Sequence, residues 1–247
     1  MSKRVDHPQF GEGAAGRQRA RLIIACATRA EAAPLRPRLA RTRELELGRR
    51  RAWRGEVAGV PVLLLPTGVG KTNTAQALTV ALERGGVLGV LCFGVAGAYT
   101  AAGVEPGGVV LATSEAYGDE GVEAPGGWLS TEEIGFPLLE RPLRHNAFPL
   151  SPGWVERAGE ALRRAGISFT SGSFVTVSAC SGTEKRGVEL ARRFGALAES
   201  MEGAAAAHLA TLYGIPFLEV RAISNLVEDR DRGRWQLEEA CAAAAAA

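Results

Sequence analysis

Four short segments of the sequence carry the side chains that could do chemistry. Together they hold three carboxylates, two arginines and an amide, beside glycine and other small residues that let a ligand approach closely. Such groups can move protons, hold hydroxyl groups and stabilise a leaving group. The segments are residues 28–31, 93–97, 199–203 and 221–225.

The elements that must position these segments follow from apolar runs, which predict strands, and from helical patterns between them. Their alternation predicts an α/β fold: a single three-layer αβα domain around a mixed, largely parallel twisted sheet. Ligands bind at the carboxyl ends of strands in such sheets. Predicted strands span 22–27, 61–66, 87–93, 109–116, 169–177 and 216–223, and predicted helices span 31–39, 71–83, 152–165, 183–194, 202–213 and 234–247.

The chain has 247 residues, of which almost half are apolar, and this suits one domain with a full core. Residues 1–20 are polar and aperiodic, so they predict a flexible extension. The catalytic domain is therefore expected to span residues 21–247.

Several classes of protein are excluded by composition. No apolar run approaches the roughly 20 residues of a membrane-spanning helix, and no secretory signal is recognisable, so we expect a cytoplasmic protein without a membrane partner. The net charge of +2 predicts no nucleic-acid partner. An arginine cluster within residues 36–54 is interpreted as solvated surface.

Cysteine and histidine spacing indicates neither a metal site nor a disulfide framework. Three of the cysteines lie in apolar runs and are expected to be small buried hydrophobes. We predict no metal and no organic cofactor. The residues concerned are Cys26, Cys92, Cys180, Cys241, His7, His145 and His208.

The turn at residues 68–72 superficially matches a phosphate-binding loop of nucleoside triphosphatases. That loop needs a glycine five residues before Gly70, where this chain has Leu65, and Pro66 would stiffen it. We therefore predict a tight turn that packs a strand against the following helix.

The segments 201–205 and 220–225 resemble the paired signature of the nucleosidase and nucleoside phosphorylase superfamily, and the turn at 68–73 is similar to its glycine turn. The resemblance extends from about residue 21 to the end. Residues 227–231 and Trp235 are similar to the futalosine hydrolase branch. The resemblance implies a small-molecule purine nucleoside substrate and cleavage of its N-glycosidic bond.

By this resemblance Glu202 holds the ribose hydroxyls, Glu31 activates the attacking water, and Arg221 keeps the carboxylates ionised. Each has a plainer interpretation. Glu31 and Glu202 are also typical acids of a first helical turn, where the helix dipole favours a carboxylate, and Arg221 also suits a structural ion pair. The resemblance assigns the remaining substrate contacts to Val95, Ala96, Gly97, Cys180, Ser181 and Met201.

Two positions bear on the reaction and the base. Val95 stands where phosphorylases of the superfamily have a phosphate-binding serine, and a valine cannot hydrogen-bond an anion, so water is favoured as nucleophile. Arg29 opposes this, because some phosphorylases place a phosphate-binding arginine there. Asn225 stands where adenosine-cleaving nucleosidases have aspartate, and an amide suits a six-oxo base such as hypoxanthine.

Three alternatives remain open at the sequence level. The first is a purine nucleoside phosphorylase, with Arg29 and Lys71 binding phosphate. A second is a methylthioadenosine, adenosylhomocysteine or aminodeoxyfutalosine nucleosidase, and a third is a nucleoside-binding module without activity. The resemblance also implies a homodimer or a larger homo-oligomer, with residues 136–148 as a plausible contributor to a neighbour's pocket.

Overall fold

The computed structural model describes residues 20–247, except the side chain of Arg232. The predicted extension at residues 1–20 lies, apart from Ala20, outside the described residues. The strands are β1 (Arg21–Cys26), β2 (Ala40–Leu47), β3 (Arg50–Val57), β4 (Val60–Pro66), β5 (Val87–Tyr99), β6 (Val109–Tyr117), β7 (Gly121–Ala124), β8 (Gly127–Ser130), β9 (Leu139–Glu140), β10 (Leu143–Arg144), β11 (Ala147–Pro149), β12 (Phe169–Thr176), β13 (Ala196–Ser200) and β14 (Phe217–Val227). The helices are α1 (Arg29–Leu35), α2 (Lys71–Leu82), α3 (Pro152–Arg164), α4 (Glu184–Phe194), α5 (Gly203–Leu212) and α6 (Leu237–Ala246).

One large mixed sheet organises the fold. Its strand order is β11-β6-β12-β13-β5-β1-β4-β3-β2, and β14 pairs with both β5 and β6. The strands β4, β1, β5 and β14 are parallel, whereas β2, β3 and β11 pair antiparallel with their neighbours. The predicted mixed α/β sheet is therefore confirmed.

Helices cover both faces of this sheet. Successive side chains of a strand point to opposite faces, so Ile23 packs with Leu78 of α2 and Ala204 of α5, whereas Ile24 packs with Ala32 of α1 and Ala240 of α6. The predicted three-layer architecture follows from this alternation.

Two strands extend beyond their predicted ends. β5 continues to Tyr99 and β14 to Val227, so the segments 93–97 and 221–225 lie within strands rather than after them. The two strands are paired in parallel through this region, with Ala222 opposite Val95 and Asn225 opposite Gly97. A register shift between Ile223 and Asn225 bends β14 beside the segments that could do chemistry.

Other departures have local causes. The helix predicted to reach residue 39 ends at Leu35 and continues as a short 3-10 turn, because Pro37 has no backbone N–H to donate. The arginines of the cluster lie in and beside the hairpin β2–β3. All except the half-buried Arg50 are exposed, as predicted, and Arg36 stacks on Trp53 at 5.5 Å. None of the helices in residues 20–247 is long and apolar enough to cross a membrane.

Candidate active site

Glu31 lies in the first turn of α1 and is buried. Its backbone N–H donates to Oγ1 of Thr28 at 3.2 Å, and its Oε2 accepts from the N–H and Oγ1 of Thr28 at 2.7 and 3.0 Å. This reciprocal arrangement is a capping box. The other carboxylate oxygen, Oε1, accepts from the N–H of Val95 at 3.0 Å. Glu31 therefore caps the helix and also links it to β5.

Gly94 makes this link possible. Its φ is +152°, and a Cβ at this position would collide with Oε1 of Glu31 and lie 3.0 Å from Nη1 of Arg221. Only glycine combines this backbone conformation with such a close approach. Gly94 lies in one of the four segments that could do chemistry, but its residue type alone does not show that a carboxylate approaches it so closely.

Glu202 is the N-cap of α5 rather than a residue of its first turn. Its Oε1 accepts from the N–H of Gly70 at 2.9 Å, so the glycine turn after β4 serves as a donor. Burial raises the pKa of Glu202, although Arg221 and the N–H of Gly70 oppose that rise. The predicted preference of the helix dipole for an ionised carboxylate is outweighed by desolvation at this position.

Arg221 is completely buried in the middle of β14. Its Nε donates to Oε1 of Glu219 at 2.7 Å, and its Nη1 lies 3.5 Å from Oε2 of Glu202. The guanidinium also donates to the carbonyl of Val95 at 3.3 Å and to Oγ of Ser200 at 3.4 Å. A buried cation with these partners fixes the carboxylate of Glu202 and the strand that contacts Glu31.

Asn225 follows the irregularity in β14 and is half-buried. Its Oδ1 accepts from Oγ of Ser224 at 2.8 Å, and its Nδ2 donates to the carbonyl of Leu226 at 3.0 Å. The amide is thereby oriented, and its nitrogen has a second hydrogen to offer. Such a group can donate to an acceptor on a purine.

The other predicted substrate contacts differ in their location and exposure. Ala96 and Gly97 lie in β5 beside the bent part of β14, and Met201 is half-buried between β13 and α5. The N–H and Oγ of Ser181 both donate to Glu199, at 2.7 Å each. Cys180 is exposed.

A recess next to Asn225 is bounded by the segment that follows β14. Ser181, Arg230 and Trp235 contribute to its lining, and the guanidinium of Arg230 stacks on Trp235 at 4.6 Å. The N–H of Gln236 donates to the carbonyl of Ser224 at 2.8 Å, which ties the start of α6 to this side of the site. The segment therefore closes one side of the recess.

Similarity to known proteins identifies the family of this chain. Residues 21–247 match the family model described as the phosphorylase superfamily. This chain belongs to the phosphorylase superfamily. Among curated superfamily relatives, the futalosine hydrolase of Thermus thermophilus is 38% identical over 79% of this chain and 83% of its own length. The futalosine hydrolase of Streptomyces coelicolor is 34% identical over 73% of this chain and 74% of its own length.

A solved structure of the superfamily fold supports the same assignment. The 5'-methylthioadenosine/S-adenosylhomocysteine nucleosidase of Neisseria meningitidis, in complex with methylthio-immucillin-A, has a TM-score of 0.80 and 25% sequence identity. The alignment covers 92% of this chain and 96% of that protein. The fold predicted by the resemblance is thus confirmed.

Lys71, which the phosphorylase alternative assigned to phosphate, is engaged elsewhere in this superfamily member. Its Nζ donates to Asp119 at 2.6 Å and to Glu120 at 2.8 Å, and these partners raise its pKa against the lowering effect of burial. Arg29 is exposed and lines a separate recess with the hairpin arginines. Within residues 20–247 no group of three or more His, Cys, Asp or Glu side chains could hold a metal ion.

Three buried acids near this site, Glu115, Glu199 and Glu219, were given no role from the sequence. Glu199 accepts from Ser181 and from the hydroxyl of Tyr99, the latter at 3.2 Å. Glu115 and Glu219 lie on β6 and β14 and are fully buried. Both interrupt apolar runs, and a charged residue in a buried strand requires a partner. That signal was present in the sequence.

Proposed function

We propose that this protein hydrolyses the N-glycosidic bond of futalosine, releasing hypoxanthine and dehypoxanthine futalosine, as a step of menaquinone biosynthesis. The sequence identity of 34–38% to relatives named futalosine hydrolase supports futalosine as the substrate. The observation that carries the reaction class is the contact between Glu31 and the N–H of Val95. A carboxylate already occupies this backbone donor, and a phosphate ion beside it would be repelled.

The mechanism begins with dissociative cleavage of the glycosidic bond. As the bond to the base lengthens, positive charge develops on the ribose and negative charge on the purine. Glu202 holds the ribose hydroxyls and stabilises the cation, while Asn225 donates to the departing hypoxanthine. Both interactions strengthen as charge develops, so they lower the barrier more than they tighten substrate binding.

Glu31 delivers the water. Its carboxylate is oriented by three hydrogen-bond donors from Thr28 and Val95, and it can accept a proton from a water molecule attacking the anomeric carbon. Arg221 does not need to contact the substrate in this mechanism. Its guanidinium contacts the carboxylate of Glu202 and donates to the carbonyl of Val95, so it orients Glu202 and links β14 to β5.

The remaining substrate contacts follow from the resemblance to the superfamily. Val95, Ala96, Gly97 and Met201 form the base and ribose walls, and Cys180 and Ser181 lie at the outer edge of the base. We further propose that residues 21–247 form one catalytic domain that acts in the cytoplasm as a homodimer or larger homo-oligomer. Phe136 is 71% exposed and Leu143 60% exposed, which supports residues 136–148 as a contact for a neighbouring subunit.

A single assay tests reaction class and substrate together. The purified protein is incubated with futalosine, inosine and methylthioadenosine, with and without phosphate, and free base is followed by chromatography. We expect phosphate-independent release of hypoxanthine from futalosine and little adenine from methylthioadenosine. Phosphate-dependent cleavage of inosine would make the protein a phosphorylase, and preferential release of adenine would make it a methylthioadenosine-type nucleosidase, the activity named for relatives at 30–32% identity.

A further inference from the structure

Two acids that the mechanism does not use meet in the core. Glu115 of β6 and Glu219 of β14 have no exposed surface, and β6 and β14 are paired strands. A Cβ at Gly203, the first residue of α5, would collide with Oε1 of Glu115 and with Oε2 of Glu219. The two carboxyl groups therefore converge on the start of the helix that Glu202 caps.

Each acid has one oxygen that is satisfied and one that is not. Oε2 of Glu115 accepts from Oγ1 of Thr176 at 2.8 Å, and Oε1 of Glu219 accepts from Nε of Arg221 at 2.7 Å. No donor within residues 20–247 reaches Oε1 of Glu115 or Oε2 of Glu219. These are the same two oxygens that converge beside Gly203, where a proton between them would satisfy both.

Charge balance also calls for a proton. Four buried acids interact electrostatically with the single guanidinium of Arg221, and if all were ionised their negative charge would exceed its positive charge. They are Glu31, Glu115, Glu202 and Glu219. Two buried carboxyl groups that converge on one point cannot both ionise at low cost, so such pairs share one proton. Glu219 accepts a hydrogen bond from the guanidinium of Arg221, whereas Glu115 accepts one only from a hydroxyl, so the proton is assigned to Glu115. Burial, followed by the charge of Glu219, raises the pKa of Glu115.

We propose that Glu115 and Glu219 are positioning residues, a carboxylic acid and a carboxylate sharing one proton, which fix Arg221 so that it orients Glu202 toward the ribose. The effect on Glu202 rests on the proposed function, whereas the shared proton does not. The path is short, because Glu219 and Glu202 contact the same guanidinium. The charged and titratable groups around the pair are Arg221, Glu202, Glu31, Cys92, Tyr99 and Tyr117.

The first test compares Glu115→Gln with Glu219→Gln. An amide at position 115 keeps a donor toward Glu219 and carries no charge, so we expect kcat/KM for futalosine to remain within about threefold of the wild type. Glu219→Gln removes the anion beside Arg221, and a displaced Glu202 should lower kcat/KM about 10- to 100-fold. This loss should lie mainly in kcat, while circular dichroism reports an unchanged fold.

The pH profile separates positioning from a general structural role. In Glu219→Gln, Glu115 becomes the only acid of the pair that can ionise, so part of the lost activity should return as the pH rises and Glu115 loses its proton. A merely structural defect would not be reversed in this way. Equal losses in the two glutamine variants, with both folded, would overturn the proposal, as would a pH profile of Glu219→Gln with no recovery.

Infrared spectroscopy tests the shared proton without any substrate. The wild-type protein at neutral pH should show the carbonyl band of a protonated carboxyl group, and Glu115→Gln should lack it. Retention of the band in Glu115→Gln, or its absence from the wild type, would refute the pair even if futalosine is cleaved. If the band behaves as expected and futalosine is not cleaved, the proposed function fails and the shared proton stands. Because infrared spectroscopy compares only the wild type with Glu115→Gln, it tests the shared proton even if Glu219→Gln does not fold.

Discussion

Glu31 and Val95 are joined by a hydrogen bond of 3.0 Å from the strand N–H to a carboxylate oxygen. The partners are 64 residues apart, and the other oxygen of the same carboxylate accepts two hydrogen bonds from Thr28. The side chain of Glu31 thus belongs to the capping box of α1 and also contacts β5 of the central sheet. One oxygen of Glu31 therefore caps helix α1, and the other contacts the strand that carries the proposed site.

The substitution Glu31→Gln should lower kcat about 100- to 10,000-fold with little change in KM, because an amide cannot accept a proton from water at neutral pH. The chain offers a matched control. Glu133 makes the same reciprocal contacts with Ser130, at 2.7, 2.9 and 3.2 Å, but on the surface. Steady-state kinetics should find Glu133→Gln unchanged, and near-normal turnover of Glu31→Gln would eliminate Glu31 as the base.

The substitution Gly94→Ala should nearly abolish activity, because the new methyl group would displace the carboxylate of Glu31 and crowd Arg221. Gly107→Ala is the control: Gly107 also has a positive φ, +87°, but nothing lies within 4 Å of an added Cβ. Both variants carry backbone strain of about 1–3 kcal/mol. Comparable activity in the two variants, measured at equal folded fraction, would mean that the close approach at Gly94 has no catalytic importance.

Asn225→Asp should shift preference from six-oxo to six-amino purine nucleosides. A carboxylate facing the oxo group of hypoxanthine is repelled, whereas a protonated one can donate to the base nitrogen. We expect the ratio of kcat/KM for futalosine to that for methylthioadenosine to fall about 10- to 100-fold, an effect of about 1–3 kcal/mol. The ratio is an internal control for folding, and an unchanged ratio would remove Asn225 from base recognition.

Much of the fold could be predicted from the sequence, because apolar runs and helical periodicity report burial directly. All six predicted strands and six predicted helices correspond to observed elements. The hairpin β2–β3 escaped prediction because its exposed faces carry arginine and glutamate instead of an apolar pattern. The short strand β13 escaped because Glu199 and Ser200 interrupt its apolar residues, and their burial depends on partners distant in sequence.

The site was less accessible to sequence reasoning for a similar reason. The segments containing Glu31, Glu202 and Arg221 were recognisable, and the structure brings these three side chains together. The sequence did not reveal that the carboxyl groups of Glu115 and Glu219 converge near Arg221. These two acids are 104 positions apart and meet only because β6 and β14 are paired. Burial of an acid is a property of the assembled sheet.

Arg221→Met should destabilise the protein by about 3–5 kcal/mol, because it leaves buried carboxylates without their cation. Arg234→Met is the comparison, since Arg234 forms a 2.7 Å ion pair with Glu228 but is 70% exposed. Surface pairs of that kind contribute little to stability, because water and salt screen the two charges. Urea unfolding of both variants measures the difference. A loss at Arg221 as small as that at Arg234 would show that the buried cluster tolerates the missing charge.

The pH dependence of stability should differ between the wild type and Glu115→Gln. The pKa of Glu115 is raised by burial in the folded state, so its stabilising contribution is complete below the unfolded pKa of about 4.3 and is lost as pH rises through the folded pKa. Glutamine cannot titrate. Between about pH 5 and the folded pKa, wild-type stability should fall relative to the variant by about 1 kcal/mol per pH unit. Parallel urea-unfolding curves across this range would contradict a raised pKa.

The unequal exposure of the four cysteines gives the protein a natural attachment point for a reporter group. Burial raises the pKa of all four thiols, but Cys26, Cys92 and Cys241 are buried residues, whereas Cys180 is exposed next to Ser181. A thiol-reactive fluorophore should therefore label the unmodified protein at one position, on the rim of the recess that Trp235 lines. Occupancy of the site could then be followed by fluorescence without engineering a single residue.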